Sequence, residues 1–340
     1  MRARARVVGA LVESPLQLLC TIEAHAAGLG GDTTRVHVRD DVPTLAQARD
    51  ALARATLPPG LTMDVRPVRH AMWSLDRHRI VGEAFSGLVQ TALLTRPVSS
   101  ITLVDDGLAA LDLDRILTSP SAGFVRSGVP AGAARRALGR ATAERLRALA
   151  RRGGLTLFTA LGLGGDALGR LAEAGVRVEQ NDFGWFTSQP LEAAPAEPTV
   201  VVGSGLVGAG FVDADSYLSW VLSLAAEGPL LYVPYRREEP LVQRVLRTTP
   251  GVTIADPGSV LELRLSGMRE GQRVFSLPTT STVLLTSILG RRGVDVEVKA
   301  VPDSWWAPSV PEQVRKDATQ LVDLSAAARE AVRQPEARGA

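Results

Sequence analysis

The chain has 340 residues, 45% of them hydrophobic, and a formal net charge of +2. A chain of this length usually needs more than one core, so we expect two domains. A charge this close to zero argues against a dedicated nucleic-acid binder. The single cysteine, Cys20, excludes an internal disulfide and cannot build a zinc site by itself, which makes the cytoplasm the expected compartment.

The apolar run near the amino terminus predicts a strand rather than a signal peptide. Glu13 ends the run of residues 7–12, which is too short for an export core, and no stretch of about 18 apolar residues follows elsewhere. Ser14 is a good helix N-cap and Pro15 suits a first helical turn. The chain therefore begins with a strand, a tight loop and a helix.

Strands and helices alternate through the first half of the chain. This alternation indicates a parallel sheet covered by helices. The apolar periodicity predicts further strands at residues 35–38, 61–68, 101–104, 155–158 and 176–178, and helices at residues 43–57, 74–93 and 131–152.

Residues 191–198 are rich in proline and alanine and have no periodic apolar face, so we interpret them as an interdomain linker. A second α/β series begins after the linker, so the sequence predicts two Rossmann-like domains facing across a cleft. Its predicted strands are residues 199–202, 230–233, 252–254, 273–276 and 294–301, and its predicted helices are residues 217–226, 241–248, 283–289 and 311–332.

Two adjacent acids, Asp105 and Asp106, end the predicted strand 101–104 and precede Gly107. Open α/β sheets bind their ligands at the carboxyl ends of strands, and a carboxylate there suits a base that takes a proton from a hydroxyl. The alternative is structural, with Asp106 capping the next helix and Asp105 paired with an arginine. The spacing leaves both interpretations open.

A glycine-rich loop, residues 203–210, follows the first strand of the second series. The backbone amides of Gly203, Ser204 and Gly205 are able to approach a phosphate there. The loop can be matched to a Gly-x-Gly-x-x-Gly pattern, but no acid stands about 20 residues further on, as a dinucleotide fold requires. A dinucleotide cofactor is therefore disfavoured.

Two further segments follow strands of the second series. Tyr235 and Arg236 bring a phenol and a guanidinium, and arginine pairs bidentately with phosphate. The alternative there is an ion-paired loop, with Arg237 bonded to Glu238 or Glu239. Four hydroxyl residues open the predicted helix 283–289, as plain caps or as an anion site. These hydroxyl residues are Thr279, Thr280, Ser281 and Thr282.

Two surface features remain open on sequence grounds. Gln17 points from the first helix toward the same sheet edge as Asp105, where it is either an acceptor contact or a solvated side chain. The predicted helix 131–152 carries a row of arginines from Arg135 to Arg152. A solvated face is favoured over peripheral contact with a membrane or an anionic polymer.

Taken in chain order, these segments resemble bacterial sialyltransferases, above all polysialyltransferase-like proteins of the GT-B fold. The resemblance rests on residues 13–17, 105–107, 203–207, 232–239, 280–282 and 302–306, and it covers most of the chain. It implies an inverting, metal-independent glycosyltransferase without a cofactor. Such an enzyme moves a sialic-acid-like nonulosonic acid from a CMP-activated donor to a glycan or cell-wall polymer.

The resemblance also implies a role for each segment. Asp105 would be the base, and Tyr235 would stand where the family has a histidine and would donate to the departing phosphate. Residues 1–190 would form the acceptor domain and residues 199–310 the donor domain, with the C-terminal helix 311–340 packed back toward the first. The implied acceptor contacts are Ser14, Gln17, Asp106 and Gly107, and the implied donor contacts are Gly203, Ser204, Gly205, Arg236, Thr280, Ser281 and Thr282.

Two other functions stay open because a tyrosine replaces the family's histidine. One is a non-catalytic nucleotide- or glycan-binding paralogue, and the other is a GT-B transferase that uses a nucleoside-diphosphate sugar. The expected location is cytoplasmic, with peripheral attachment at the inner face of the cell membrane as an option.

Overall fold

The computed structural model divides the chain into two compact units, Met1–Pro190 and Leu191–Ala340. The structure describes residues 6–67, 76–82, 84–105, 111–125, 131–189, 193–235, 238–256 and 261–333. Each unit is an α/β layer structure, in which parallel strands alternate along the chain with helices.

The first unit contains seven strands and seven helices among its described residues. Its strands are β1 (Val7–Val12), β2 (Thr33–Arg39), β3 (Leu61–Arg66), β4 (His78–Val81), β5 (Ser100–Val104), β6 (Leu155–Thr159) and β7 (Arg177–Gln180). Its helices are α1 (Pro15–Ala26), α2 (Pro43–Leu52), α3 (Gly87–Thr95), α4 (Leu111–Thr118), α5 (Ala133–Ala150), α6 (Gly165–Glu173) and α7 (Gly184–Ser188).

The seven strands form one parallel sheet in the order β3-β2-β1-β4-β5-β6-β7. The strand order reverses between β1 and β4, which is where open α/β sheets leave a crevice at their carboxyl edge. β1 and β5 are buried along almost their whole length, as expected for central parallel strands. The loops after these strands therefore meet at one edge of the sheet.

The prediction of a long helix over residues 74–93 is wrong. Residues 78–81 form the strand β4, and the helix α3 begins only at Gly87. The sequence does not indicate this strand, because a charged residue such as Arg79 is expected at the surface. In the structure Arg79 is only 2% exposed. Its guanidinium donates to the carbonyls of Asp76 at 2.9 Å, Ala92 at 3.2 Å and Pro97 at 3.0 Å.

The second unit contains five strands and six α-helices among its described residues, with short 3₁₀ turns at Gly290–Arg292 and Asp303–Trp305. Its strands are β8 (Thr199–Val202), β9 (Leu230–Val233), β10 (Val252–Ile254), β11 (Arg273–Ser276) and β12 (Asp295–Val298). Its helices are α8 (Gly205–Gly208), α9 (Ala214–Glu227), α10 (Pro240–Arg247), α11 (Leu261–Arg264), α12 (Thr280–Leu289) and α13 (Glu312–Arg333).

These five strands form a second parallel sheet in the order β10-β9-β8-β11-β12. The order reverses between β8 and β11. At such a point an open α/β sheet leaves a crevice at its carboxyl edge, so the second unit has a position for a ligand of its own. Within this unit the C-terminal helix α13 contacts α12 and β12. Its predicted packing toward the first domain stays a prediction.

Candidate functional site

The glycine loop after β8 is shaped by the close approach of a neighbouring loop. A side-chain carbon at Gly203 would lie 2.2 Å from a carboxylate oxygen of Glu238 and 2.6 Å from the backbone nitrogen of Tyr235. A side-chain carbon at Gly205 would lie 3.0 Å from the ring carbon Cζ of Tyr235. Only residues without a side chain allow this approach, so the two glycines are explained by packing between the loops.

Ser204, between these glycines, is fully buried and caps the short helix α8. Its hydroxyl oxygen accepts a hydrogen bond from the backbone nitrogen of Leu206 at 3.1 Å. The backbone nitrogen of Gly203 donates to the carbonyl of Val233 at 2.8 Å, at the end of β9. A backbone bond thus fixes the loop to its neighbouring strand, and the cap fixes the start of α8.

A buried carboxylate, Glu238, links the loop after β9 to the core of the second unit. One of its oxygens, Oε2, accepts from the hydroxyl of Tyr232 at 2.7 Å and from the backbone nitrogen of Tyr235 at 3.0 Å. The Tyr232 hydroxyl also lies 3.2 Å from that of Tyr217 on α9. Burial raises the pKa of Glu238, because the surrounding protein solvates its charge less well than water does.

The hydroxyl residues after β11 divide into a buried network and a partly exposed pair. Thr279 is the N-cap of α12 and accepts from the backbone nitrogen of Thr282. The Thr282 hydroxyl lies 2.6 Å from that of Ser276 and 2.8 Å from that of Thr279. Thr280 and Ser281, in the first helical turn, are half-buried and lie where backbone N–H groups point out of the helix.

Three loops of the second unit therefore share one edge of its sheet. They follow β8, β9 and β11, and β8 pairs directly with the other two strands. Because all these strands are parallel, the glycine loop, Tyr235 and the start of α12 lie at the carboxyl edge, around the point where the strand order reverses. The phenol of Tyr235 is 37% exposed there, so it is open to a ligand.

Three of the residues predicted for the site lie outside the described residues. They are Arg236, Asp106 and Gly107.

Asp105 lies at the end of β5, as the sequence predicts, and is 1% exposed. Its carboxylate accepts from the Thr159 hydroxyl and from the backbone nitrogen of Ala160, each at 2.6 Å. The bonds tie the end of β5 to the end of β6 and replace the arginine pairing considered as an alternative. Burial raises the pKa of Asp105 to about 6, while the two hydrogen bonds act in the opposite direction.

The loop after β1 places Ser14 and Gln17 in structural contacts. The Ser14 hydroxyl accepts from the backbone nitrogen of Gln17 at 3.2 Å, as an N-cap does. Gln17 is 1% exposed, and its side-chain oxygen accepts from the backbone nitrogen of Glu13 at 2.8 Å. Gln17 is therefore not the solvated side chain that one interpretation of the sequence allowed. The proposed contacts of Ser14 and Gln17 with an acceptor stay predictions.

The basic helix α5 uses two of its arginines inside the first unit. Arg147 donates to four backbone carbonyls in the last turn of α4 and in the segment after it, and Arg135 donates to Gln90 and to the carbonyl of Phe85. Other arginines, including Arg140, lie on the exposed face. The carbonyls that bind Arg147 belong to Ile116, Ser119, Pro120 and Ala122.

The described residues also lack two kinds of feature, a metal-binding cluster and a membrane-spanning helix. No cluster of three or more histidine, cysteine, aspartate or glutamate side chains suited to a metal ion occurs among these residues. In the same part of the chain, no helix combines the length and the apolar character that crossing a bilayer requires.

Comparison with known proteins identifies the fold. No protein-family model matches the sequence, and no curated protein is matched by it. The crystal structure of LpCGTa in complex with UDP is 13% identical, with a TM-score of 0.51 over 99% of this chain and 96% of that chain. A UDP-glucosyltransferase from Polygonum tinctorium, capable of glucosylating indoxyl and solved with 3,4-dichloroaniline, is 12% identical, with a TM-score of 0.52 over the same shares.

At these identities the likeness concerns the fold alone. The chain has an α/β fold with two parallel-sheet domains, as in GT-B glycosyltransferases, which confirms the predicted fold class. The finer resemblance to sialyltransferases is not matched by these two structures.

One residue of the site was missed by the sequence reading. Glu238 was considered only as a surface ion-pair partner of Arg237, because it stands in a run of charged residues. In the structure its carboxylate accepts from the hydroxyl of Tyr232 in β9, so the residue belongs to the loop after that strand but is bonded into the strand itself. The only signal in the sequence is the pair of tyrosines, Tyr217 and Tyr232, whose hydroxyls need partners when the ring is buried.

Proposed function

We propose that the protein is a glycosyltransferase that binds a nucleotide-activated sugar at the carboxyl edge of the sheet in its second unit. The observation that carries this proposal is the convergence of the loops after β8, β9 and β11 at the switch point of that sheet. The edge carries backbone amides, partly exposed hydroxyls and an exposed phenol, which are groups that bind phosphate and sugar.

A nucleoside-diphosphate sugar is the donor that we favour. The two comparison structures support this choice, since one is in complex with UDP and the other is described as a UDP-glucosyltransferase. A CMP-activated nonulosonic acid is the second candidate. It is favoured by the resemblance of the acid pair after β5 and of the hydroxyl cluster of α12 to the sialyltransferase motifs.

Transfer leaves negative charge on the departing phosphate, and the chemistry requires groups that stabilise it. In this proposal the N-terminus of α12 meets that phosphate, because its backbone N–H groups and dipole favour an anion. The hydroxyls of Thr280 and Ser281 add donors there. The backbone N–H groups of Ser204 and Gly205 face the phosphate from the loop after β8, and Gly203 leaves room for the loop after β9. Thr282 holds the start of α12 through its hydroxyl network.

Tyr235 is proposed to donate a hydrogen bond from its hydroxyl to the same phosphate, with Arg236 supplying a positive charge. The support for Tyr235 is its place beside Gly205 and the exposure of its ring. A phenol is a weak acid, so it contributes by hydrogen bonding in the transition state rather than by complete proton transfer.

Asp105 is proposed as the group that takes the proton of the acceptor hydroxyl. With a pKa of about 6 it is ionised above that pH, as a base must be at neutral pH. Ser14, Gln17, Asp106 and Gly107 complete the proposed acceptor side. A mechanism without metal or cofactor and a cytoplasmic location belong to the same proposal.

A thermal-shift series with UDP, GDP, CMP and NAD tests the proposed function. A ligand that binds the native state stabilises it by mass action, by about 2.7 kcal/mol at a concentration of 100 times Kd. We expect UDP to raise the unfolding temperature most and NAD to leave it unchanged. A larger shift with CMP would select the second candidate, and no shift with any of the three mononucleotides would refute nucleotide binding.

A further inference from the structure

The loop after β9 is fixed by a single buried side chain. Glu238 is 8% exposed, and its two oxygens accept from one hydroxyl and two backbone N–H groups. The third donor is the backbone nitrogen of Glu239, which lies 3.3 Å from Oε1. In addition, the backbone nitrogen of Glu238 donates to the carbonyl of Tyr235 at 3.1 Å.

The hydrogen bonds between Glu238 and the backbone of Tyr235 determine where the ring of Tyr235 lies. The backbone nitrogen of Tyr235 is held by Glu238, and the ring extends over Gly205, as the 3.0 Å distance to a side-chain carbon built there shows. Glu238 also lies against Gly203, with Oε2 only 2.2 Å from the position of a side-chain carbon. One carboxylate thus contacts two loops of the site, the loop after β8 and the loop after β9.

We propose that Glu238 is a positioning residue, which holds Tyr235 over the glycine loop so that the ring meets the bound nucleotide. The proposal rests on the proposed function, because it gives Tyr235 its role there. Glu238 itself is buried behind the two loops and does not need to touch the ligand. Its effect on binding therefore passes through Tyr235.

A purely structural carboxylate would behave differently. It would stabilise the second unit and affect any ligand to the same degree, whether or not residue 235 is a tyrosine. A positioning residue loses its influence when the side chain that it positions is removed. Two coupled residues show this as an interaction energy in a double-mutant cycle, and independent residues do not.

The test is a cycle of Glu238→Met and Tyr235→Ala, with UDP affinity measured by titration calorimetry well below the unfolding temperature of each variant. Methionine keeps the length of the side chain and accepts from none of the three donors. We expect Glu238→Met to weaken UDP binding about tenfold in the wild-type background. In the Tyr235→Ala background we expect the same change to have an effect below about twofold.

The neighbouring Glu239→Gln provides the matched control, since it removes a charge one residue away and leaves the carboxylate network intact. We expect it to change UDP affinity by less than about twofold. If Glu238→Met does not fold, the cycle is measured with Glu238→Gln instead. We expect a smaller change in UDP affinity for this variant, because glutamine keeps one acceptor oxygen.

A measurement without ligand separates the two proposals. Amide exchange of Tyr235 in the free protein should become about tenfold faster in Glu238→Met or Glu238→Gln, while exchange in β8 and β9 stays unchanged. Unchanged exchange of Tyr235, or equal effects on UDP affinity in both backgrounds of the cycle, would overturn the positioning role. If the wild type binds neither UDP nor CMP, the proposed function fails, and the exchange result still decides whether Glu238 positions Tyr235.

Discussion

At the scale of single residues, the two carboxylates at the sheet edges have comparable environments. Asp105 in the first unit and Glu238 in the second are both buried, and both accept from a hydroxyl and from backbone nitrogen. In each case burial is the main cause of a raised pKa. Each carboxylate joins a strand end to a neighbouring loop, which gives the two edges a defined shape.

Asp105→Asn tests the base and predicts a pH dependence of stability. The pKa of this carboxyl rises from its usual 3.8 to about 6 on folding, so the folded state holds its proton to a higher pH. Its contribution to the free energy of unfolding is fully present below pH 4 and is lost as the pH rises through 6. The loss amounts to about 3 kcal/mol at 1.4 kcal/mol per pH unit.

Urea unfolding of the wild type and of Asp105→Asn between pH 4 and pH 7 measures this difference. The stability of the wild type relative to the variant should fall over that range, and a constant difference would contradict the raised pKa. If Asp105 is also the base, turnover in Asp105→Asn should drop by about 10²–10⁴ with UDP affinity kept. Full turnover would remove Asp105 from the mechanism.

Tyr235→Phe separates the hydroxyl of this residue from its ring. If the hydroxyl donates to the departing phosphate, kcat should fall by about tenfold or more while KM for the donor changes little. The ring and its contact with Gly205 remain in this variant, so its stability should match the wild type. Steady-state kinetics with the donor selected by the thermal-shift series provides the measurement, and equal kcat values would show that only the ring matters.

At the scale of elements, the basic helix α5 is an internal support. Arg147 reaches from α5 to four carbonyls in the last turn of α4 and just after it, where a helix leaves backbone acceptors without internal partners. An arginine suits this position because its guanidinium presents several donors in one plane. The row of arginines is thus divided between structural contacts and an exposed face.

Arg147→Met should destabilise the protein by about 1–3 kcal/mol, because it removes a donor from carbonyls that are partly shielded from water. Arg140→Met is the matched control on the same helix, where the side chain is exposed, and we expect a change of at most about 0.5 kcal/mol. Thermal unfolding of both variants gives the comparison. Equal losses would mean that the four carbonyls find other partners.

At the scale of the whole molecule, each unit has a sheet and a core of its own. The second core gathers Val201, Tyr217, Tyr232 and Phe275 with the surrounding aliphatic side chains. Trp305 and Trp306 pack against it from the segment after β12. The proposed donor edge belongs entirely to this unit, so nucleotide binding should act on its stability first.

Proteolysis in moderate urea, with and without UDP, tests this assignment. At a ligand concentration of 100 times Kd, the second unit should gain about 2.7 kcal/mol against opening, so cleavage within residues 193–333 should slow most. Cleavage within the first unit should change less. Mass spectrometry of the fragments identifies the sites, and stronger protection of the first unit would place the nucleotide there instead.

Elements whose signals are local could be predicted from the amino-acid sequence. Strands such as β1 and β8 are short apolar runs bounded by turn residues, and the cap Ser14 accepts from a backbone nitrogen in the first turn of its own helix. The alternation of these elements also predicted two parallel-sheet domains. Since both signals depend only on neighbours in the chain, no tertiary contact is needed to predict them.

Features that depend on partners elsewhere in the fold could not be predicted from the sequence. β4 was predicted as helix because Arg79 looks like a surface residue until carbonyls from three other segments surround its guanidinium. Asp105 finds its partners 54 and 55 residues away, and Glu238 is bonded to a tyrosine of the preceding strand. A buried polar group requires partners, but only the assembled fold determines which residues they are.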